Sequence, residues 1–287
     1  MSAELTFQSV PSLRERSAAR PLVCAHRGTT GGNIPCNTLA AFSAALLSGA
    51  DMIELDVAKS RDGEFFVFHP GMEAAHLHSD RKISELTAAE VGRLRYRNPD
   101  GRETPYGVDR LDDVLAALKG RCLIYVDKFE TDIAGIAAVI RRTGTQDAAV
   151  AQPGPIGPVL AQIEAFAPDI MVMPLVIGED TVSRFLLTRK HRFIGTEVLF
   201  SEESAPAASP AYVEAMHRQG LWVTVNALSG CSSSVLAAGH DDDRSVLGDP
   251  DGGWGWLLDR GFDMIQTDWC GLMSRYLSRR FPAPVRP

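Results

Sequence analysis

The chain of 287 residues fits within the usual span of one α/β barrel, so length alone calls for no second domain. Its 45% apolar and 23% charged content excludes disordered and fibrous classes. A formal charge of -7 argues against nonspecific binding to nucleic acid or an anionic membrane, both of which need a basic surface, so a phosphate-bearing ligand must be met by local cations.

No segment reaches the roughly 18 apolar residues of a membrane span, and the first residues lack the apolar core of a signal peptide. Residues 1–20, with Glu4, Arg14, Glu15, Arg16 and Arg20 among small residues, read as a leading arm, and residues 21–287 as a single cytoplasmic domain. Cys24, Cys36, Cys122, Cys231 and Cys270 are odd in number, and Cys24 and Cys122 fall inside expected strands. Buried thiols in a reducing compartment fit this better than a disulfide framework.

In chain order, the apolar run from Leu22 ends at His26-Arg27-Gly28, a strand that delivers titratable groups at its C-terminal end. After Gly31 and Gly32, Asn37 or Thr38 caps a helix whose apolar face recurs at Leu39, Phe42, Leu46 and Leu47. The next strand, from Met52, puts Ile53, Leu55 and Val57 on one face and Glu54 and Asp56 on the other. Two carboxylates in an otherwise apolar strand are costly to bury unpaired, and a divalent cation is the simplest partner. A further apolar run from Glu64 ends at His69.

Residues 71–107 interrupt the strand–helix alternation as an insertion after the second strand, with one amphipathic helix expected over 84–94 on the stripe Leu86, Val91 and Leu94. Helices then read over 111–118, 132–142, 159–166, 181–188, 210–219 and 254–260. Strands read over 122–126, 148–152, 170–176, 193–199, 221–226 and 264–267. The strands beginning at Leu22, Met52, Cys122, Ala148, Ile170, Phe193, Leu221 and Met264 number eight, enough to close a parallel barrel whose chemistry sits where the strands end. Residues 229–253 read as a long surface loop, with Asp241, Asp242 and Asp243 as a solvated turn.

The ordered set His26-Arg27-Gly28, Pro35-x-Asn37-Thr38, Glu54-x-Asp56, Ser60-x-Asp62-Gly63 and His69 resembles the glycerophosphodiester phosphodiesterase family. Leu111-Asp112-Asp113, Asp127-Lys128, Thr224-Val225-Asn226 and the stretch from Gly261 to Asp268 extend the resemblance to roughly residues 20–280. It implies a (β/α)8 TIM barrel, kin in fold to phosphatidylinositol-specific phospholipase C, that cleaves phosphodiesters with one Ca2+ or Mg2+ ion. It also implies that the insertion covers part of the site mouth.

On that reading His26 and His69 are the acid/base pair, since imidazole takes or gives a proton near neutral pH. Glu54, Asp56 and Asp127 are the metal ligands, hard oxygens that leave positions open for water and a phosphoryl oxygen. Arg27 and Lys128 neutralise the phosphate, or keep the carboxylates ionised. Gln152, Glu197, Asn226, Tyr125 and Trp222 are substrate contacts suited to a polyol or sugar, although each polar group would equally satisfy loop backbone.

The chain departs from the family pattern at Cys36, where Glu is usual, at Val126, where the third ligand usually stands, and at Pro70, where Asp is usual. Asp127 is the nearest substitute ligand, which requires the strand to bulge or end there because neighbours on an unbroken strand face opposite ways. The expected substrate is a soluble glycerophosphodiester or a sugar phosphodiester of the agrocinopine type, with a homo-oligomer allowed. Alternatives are a noncatalytic phosphodiester-binding barrel, a lyase of the sphingomyelinase D or phospholipase C type, and an aldolase using Lys128 as a Schiff base.

Overall fold

The computed structural model describes residues 19–179, 192–229 and 235–282. The helix expected over 181–188, His191, Cys231 and all but the last two residues of the N-terminal arm lie outside them. Arg20 is tied to the barrel, donating to both oxygens of Asp51 at 2.9 and 3.1 Å.

The strands are β1 Leu22–Ala25, β2 Met52–Lys59, β3 Phe65–Val67, β4 Leu123–Asp127, β5 Ala149–Ala151, β6 Met171–Val172, β7 Leu175–Ile177, β8 Arg192–Phe193, β9 Gly195–Leu199, β10 Trp222–Asn226 and β11 Met264–Thr267. All but β3 pair in parallel, in the order β7-β9-β10-β11-β1-β2-β4-β5-β6-β8. β6 and β7 are one stave broken at Met173 and Pro174, and β8 and β9 are its neighbour broken at Ile194. β6 pairs with β8 and β7 with β9, while Ile194 N donates to Val172 O at 3.1 Å and Glu197 N to Pro174 O at 3.0 Å across the breaks. Proline has no N–H for the ladder, which is why the expected continuous strand over 170–176 splits there. The closed sheet therefore has eight staves, and the fold is a (β/α)8 barrel.

Alternation along each stave divides the core in two. Val23, Ile53, Leu55, Val57, Val223 and Val225 face the helices. Leu22, Cys24, Met52, Leu123, Trp222 and Met264 face inward and plug the barrel floor. Going up β2, the inward positions are Met52, Glu54 and Asp56; along β4 they are Leu123, Tyr125 and Asp127. Apolar side chains thus fill the floor and carboxylates crown it.

The outer helices follow from local signals. Asp132 caps the helix Ile133–Thr143 by accepting from Gly135 N at 2.8 Å, and the helix stops at Gly144, whose φ of 66° suits a residue without Cβ. The insertion packs Leu77, Ile83, Val91 and Tyr96 around Phe66 and Phe68 of the chain just before it, in a small core. The single helix expected over 84–94 is instead two short pieces, Ile83–Glu85 and Ala88–Val91. Leu86 is extended between them, and Thr87 starts the second piece in a capping box with Glu90. β2 also runs beyond the barrel rim to Lys59 and pairs antiparallel with β3.

Gly195 marks a close approach between neighbouring staves: a Cβ there would lie 2.2 Å from Trp222 O. Because the obstacle is backbone, Gly195→Ala is expected to destabilise the fold by about 3 kcal/mol or more, read as a lowered urea midpoint. Gly220→Ala serves as the comparison, since Gly220 has φ 72° but open space around its missing Cβ.

Candidate active site

The register of the staves brings the expected residues to one rim. Asp56 on β2 stands opposite Asp127 on β4, and Glu54 opposite Tyr125. Ligand oxygens of Glu54, Asp56 and Asp127 all lie within 4.8 Å of one another. Asp56 is fully buried, with Arg27 Nε 2.9 Å from Oδ2 and Asn37 Nδ2 donating to the same oxygen at 2.9 Å. The Arg27 N–H does not point along its contact, so that pairing is electrostatic and not a hydrogen bond. Asp56 Oδ1 has Lys128 Nζ and His69 Nε2 each at 3.8 Å and no hydrogen-bond partner.

Asp127 ends its strand, and Lys128 adopts the left-handed region at φ 63°. This break turns the Lys128 ammonium back onto Asp127 Oδ2 at 2.5 Å and lets both neighbours serve the same rim, as the departure at Val126 requires. Arg27 at φ 54° and Asn37 at φ 56° share that uncommon backbone, while the Arg27 amide donates to Glu54 Oε2 at 2.9 Å. Residues other than glycine adopt this region at a cost, and three of them around one carboxylate mark a built site.

Burial, then repulsion from Asp56 and Asp127, pushes the Glu54 carboxyl well above the usual carboxylate range. Burial opposes the charge on Lys128, but Asp127 and Asp56 hold its pKa above the ordinary lysine value. Three carboxylates thus face two cations, with an orphaned buried oxygen among them. This donor set fits a divalent cation, which takes hard oxygen ligands.

His26 extends from the end of β1, and its Nδ1 pairs with Asp268 Oδ1 at 2.8 Å. His69 follows β3 half-buried, and burial, followed by the nearby Arg27 and Lys128, lowers its pKa below the ordinary histidine value against the pull of Asp56. Beside His26 and Arg27 a cavity of about 210 Å³ opens into the barrel, walled by Glu54, Tyr125, Gln152 and Glu197. Glu197 accepts from Tyr125 Oη at 2.8 Å, Gln152 Nε2 at 3.0 Å and Asn226 Nδ2 at 3.4 Å. Two of these side chains also satisfy loop backbone: Gln152 Oε1 accepts from Gly154 N and Asn226 Oδ1 from Leu228 N.

Trp222 does not join them. It begins β10, on the inward face two layers below Asn226, and packs in the barrel floor with Met173 and Ile194. A further expectation to correct is the solvated turn at 241–243. Asp241 caps the helix Asp242–Val246, and Asp242 is buried, accepting from Trp254 Nε1 at 2.8 Å, Thr267 Oγ1 at 2.7 Å and Asp268 N at 2.8 Å. Asp242 thereby holds the segment that presents Asp268 to His26. Sequence reasoning missed this role, and also Gln266, whose side chain lines the cavity with Oε1 buried and unpartnered. The run Gln266-Thr267-Asp268 carried the signal, as part of the family-like stretch; nothing in a triple-Asp run singles out its middle member.

A (β/α)8 barrel with an acidic cluster, paired cations and two histidines at its C-terminal rim defines a class of barrel enzyme-like sites. Residues 26–140 match the family model described as glycerophosphoryl diester phosphodiesterase, and residues 172–277 match one described as a domain of unknown function. A glycerophosphodiester phosphodiesterase of Caldanaerobacter subterraneus subsp. tengcongensis is 39% identical over 75 residues, covering 26% of this chain and 30% of that one. A probable glycerophosphodiester phosphodiesterase 1 of Mycobacterium tuberculosis is 32% identical over 105 residues, covering 34% and 38%. The chain thus aligns with about a third of the length of these curated relatives. The crystal structure of a glycerophosphoryl diester phosphodiesterase from Parabacteroides distasonis superposes with a TM-score of 0.74 at 18% identity, covering 97% of this chain and 95% of that one. Over residues 26–140 the chain is thus similar to the glycerophosphoryl diester phosphodiesterase family, and over nearly its whole length it shares the fold of that solved structure.

Burial, against its three donors, pushes the Asp242 carboxyl from 3.8 up to about 7. Its folded value lies above its unfolded one, so between these values the folded chain keeps a proton that the unfolded chain has lost, and stability falls as pH rises through that window. Asp242→Asn is expected to remove this component, flattening the pH dependence of urea unfolding by about 1.4 kcal/mol per pH unit at mid-window. Equal slopes for the two proteins would show that Asp242 stays ionised.

Proposed function

We propose that the protein is a metal-dependent phosphodiesterase that hydrolyses a glycerophosphodiester or sugar phosphodiester to a phosphomonoester and an alcohol. The observation that carries this reading is the Asp56-centred cluster: three converging carboxylates, one orphaned oxygen, and two cations and a histidine within 4 Å of that residue. Glu54, Asp56 and Asp127 would hold the Ca2+ or Mg2+ ion. When bound, such an ion withdraws charge from a phosphoryl oxygen and so favours attack at phosphorus.

The chain's own groups divide the remaining work. Arg27 and Lys128 offset charge on the phosphate, Arg27 as a planar fork and Lys128 as a point charge. His69, with its lowered pKa, is neutral at neutral pH and takes the proton from the attacking hydroxyl or water. His26, held by Asp268 at Nδ1, has Nε2 free to carry the proton that the departing alcohol receives. Tyr125, Gln152, Asn226 and Glu197 present a hydrogen-bonding wall in a cavity of about 210 Å³, which suits a glycerol or sugar moiety, the agrocinopine type included.

Asp127 in the cluster favours catalysis over mere binding, because it supplies the third carboxylate that Val126 withholds. Among the described residues no helix is long and apolar enough to cross a membrane, and Cys24, Cys36, Cys122 and Cys270 are free, which supports a reducing compartment such as the cytoplasm.

Alcohol release from glycerophosphocholine and from a sugar phosphodiester, with and without chelator, tests the reading. Activity is expected to vanish in the chelator and return with Ca2+ or Mg2+. His26→Ala and His69→Ala are each expected to lower kcat by roughly a thousandfold. Near-normal turnover in either variant would discard the histidine pair. Because the pKa of His69 lies below its ordinary 6.5, the acid limb of kcat/KM is expected to have its midpoint below that value.

A further inference from the structure

The small cavity holds one alcohol of a diester, and its mate needs a second seat. On the outer side of His26 and Arg27 lies a groove of about 820 Å³, formed by residues 28–36, the insertion and the start of the helix Cys270–Arg280. His26 and Arg27 line both spaces, so a phosphate held between them would face the inner cavity with one ester oxygen and the groove with the other.

The groove is cationic. Arg27, Arg97 and Arg275 line it against a single carboxylate, Asp268, which is already engaged by His26. Arg97 pairs with Glu103 at 3.1 Å, while Arg275 is exposed and has no ion pair among the described residues. Cys36 and His76 also line it without adding negative charge: burial pushes the Cys36 thiol up to about 11 and lowers His76 below its ordinary value. Trp269, 46% exposed, offers an apolar face beside these cations.

We propose that this groove seats the second alcohol and selects one that carries its own negative charge, such as a phosphorylated polyol, over zwitterionic diesters bearing choline. The inference rests on the phosphodiesterase reading and deepens it. A quaternary ammonium would gain a contact with Trp269 but lie among three guanidinium groups, whereas a second phosphate gains the free guanidinium of Arg275.

The test compares kcat/KM of the full chain, supplied with Ca2+ or Mg2+, on glycerophosphocholine, glycerophosphoglycerol and glycerophosphoglycerol phosphate. The phosphorylated diester is expected to lead and the choline diester to trail by about tenfold, with the gap closing as salt approaches about 1 M. Arg275→Glu, an exposed change that leaves the core intact, is expected to lower the ratio of phosphorylated to neutral diester by about tenfold. Cys36→Glu, which places a carboxylate beside Arg27, is expected to move the ratio the same way. Hydrolysis of all three diesters at equal rates, or a ratio unmoved by Arg275→Glu, would sink the subsite while leaving the phosphodiesterase reading standing. Inertness towards all three, with metal present, would bring down both.

Discussion

The buried carboxylate of Asp56 is the constraint around which the barrel mouth is arranged. It has no exposure to solvent, and a charge so placed costs several kcal/mol unless partners compensate it. Its partners come from four separate segments: Arg27 after β1, Asn37 before the first helix, His69 after β3 and Lys128 after β4. Three of these four are in the left-handed backbone region, each at a cost of about 1 kcal/mol. The loops accept that strain because the staves below them are rigid and filled by the apolar floor, so stability is drawn from the interior and spent at the rim.

Much of this was legible in the chain, for a definite reason. A strand with period two states which residues share a face, so Glu54 and Asp56 had to point the same way. Eight strands separated by helices leave a closed parallel sheet as the economical way to cover both faces. What periodicity does not state is where a stave breaks. Pro174 interrupts the ladder within one stave, and Thr87 restarts a helix that the apolar stripe alone would have continued.

Trp222 and Asp242 show a different limit. In a parallel barrel every strand runs the same way, so a residue opening a strand lies at the floor, and Trp222, which opens β10, packs there and not at the rim. Asp242 was hidden by composition. Three consecutive acids look solvated, yet at a helix start successive side chains point in different directions: Asp241 caps, Asp242 turns inward to Trp254 and Thr267, and Asp243 remains outside.

The two halves of the barrel divide the labour unequally. The matched segment 26–140 contributes both histidines, the three carboxylates of the cluster and both cations. Residues 172–277 contribute Glu197, Asn226 and Gln266, which line the inner cavity, and also Asp242 and Asp268. Closure of β11 against β1 places Asp268 beside His26, across 242 positions of sequence. The second half therefore does more than shape the pocket. By setting a carboxylate at His26 Nδ1 it leaves Nε2 as the nitrogen without that partner, so the cavity wall and the orientation of His26 are joined through one turn of chain that Asp242 anchors from beneath.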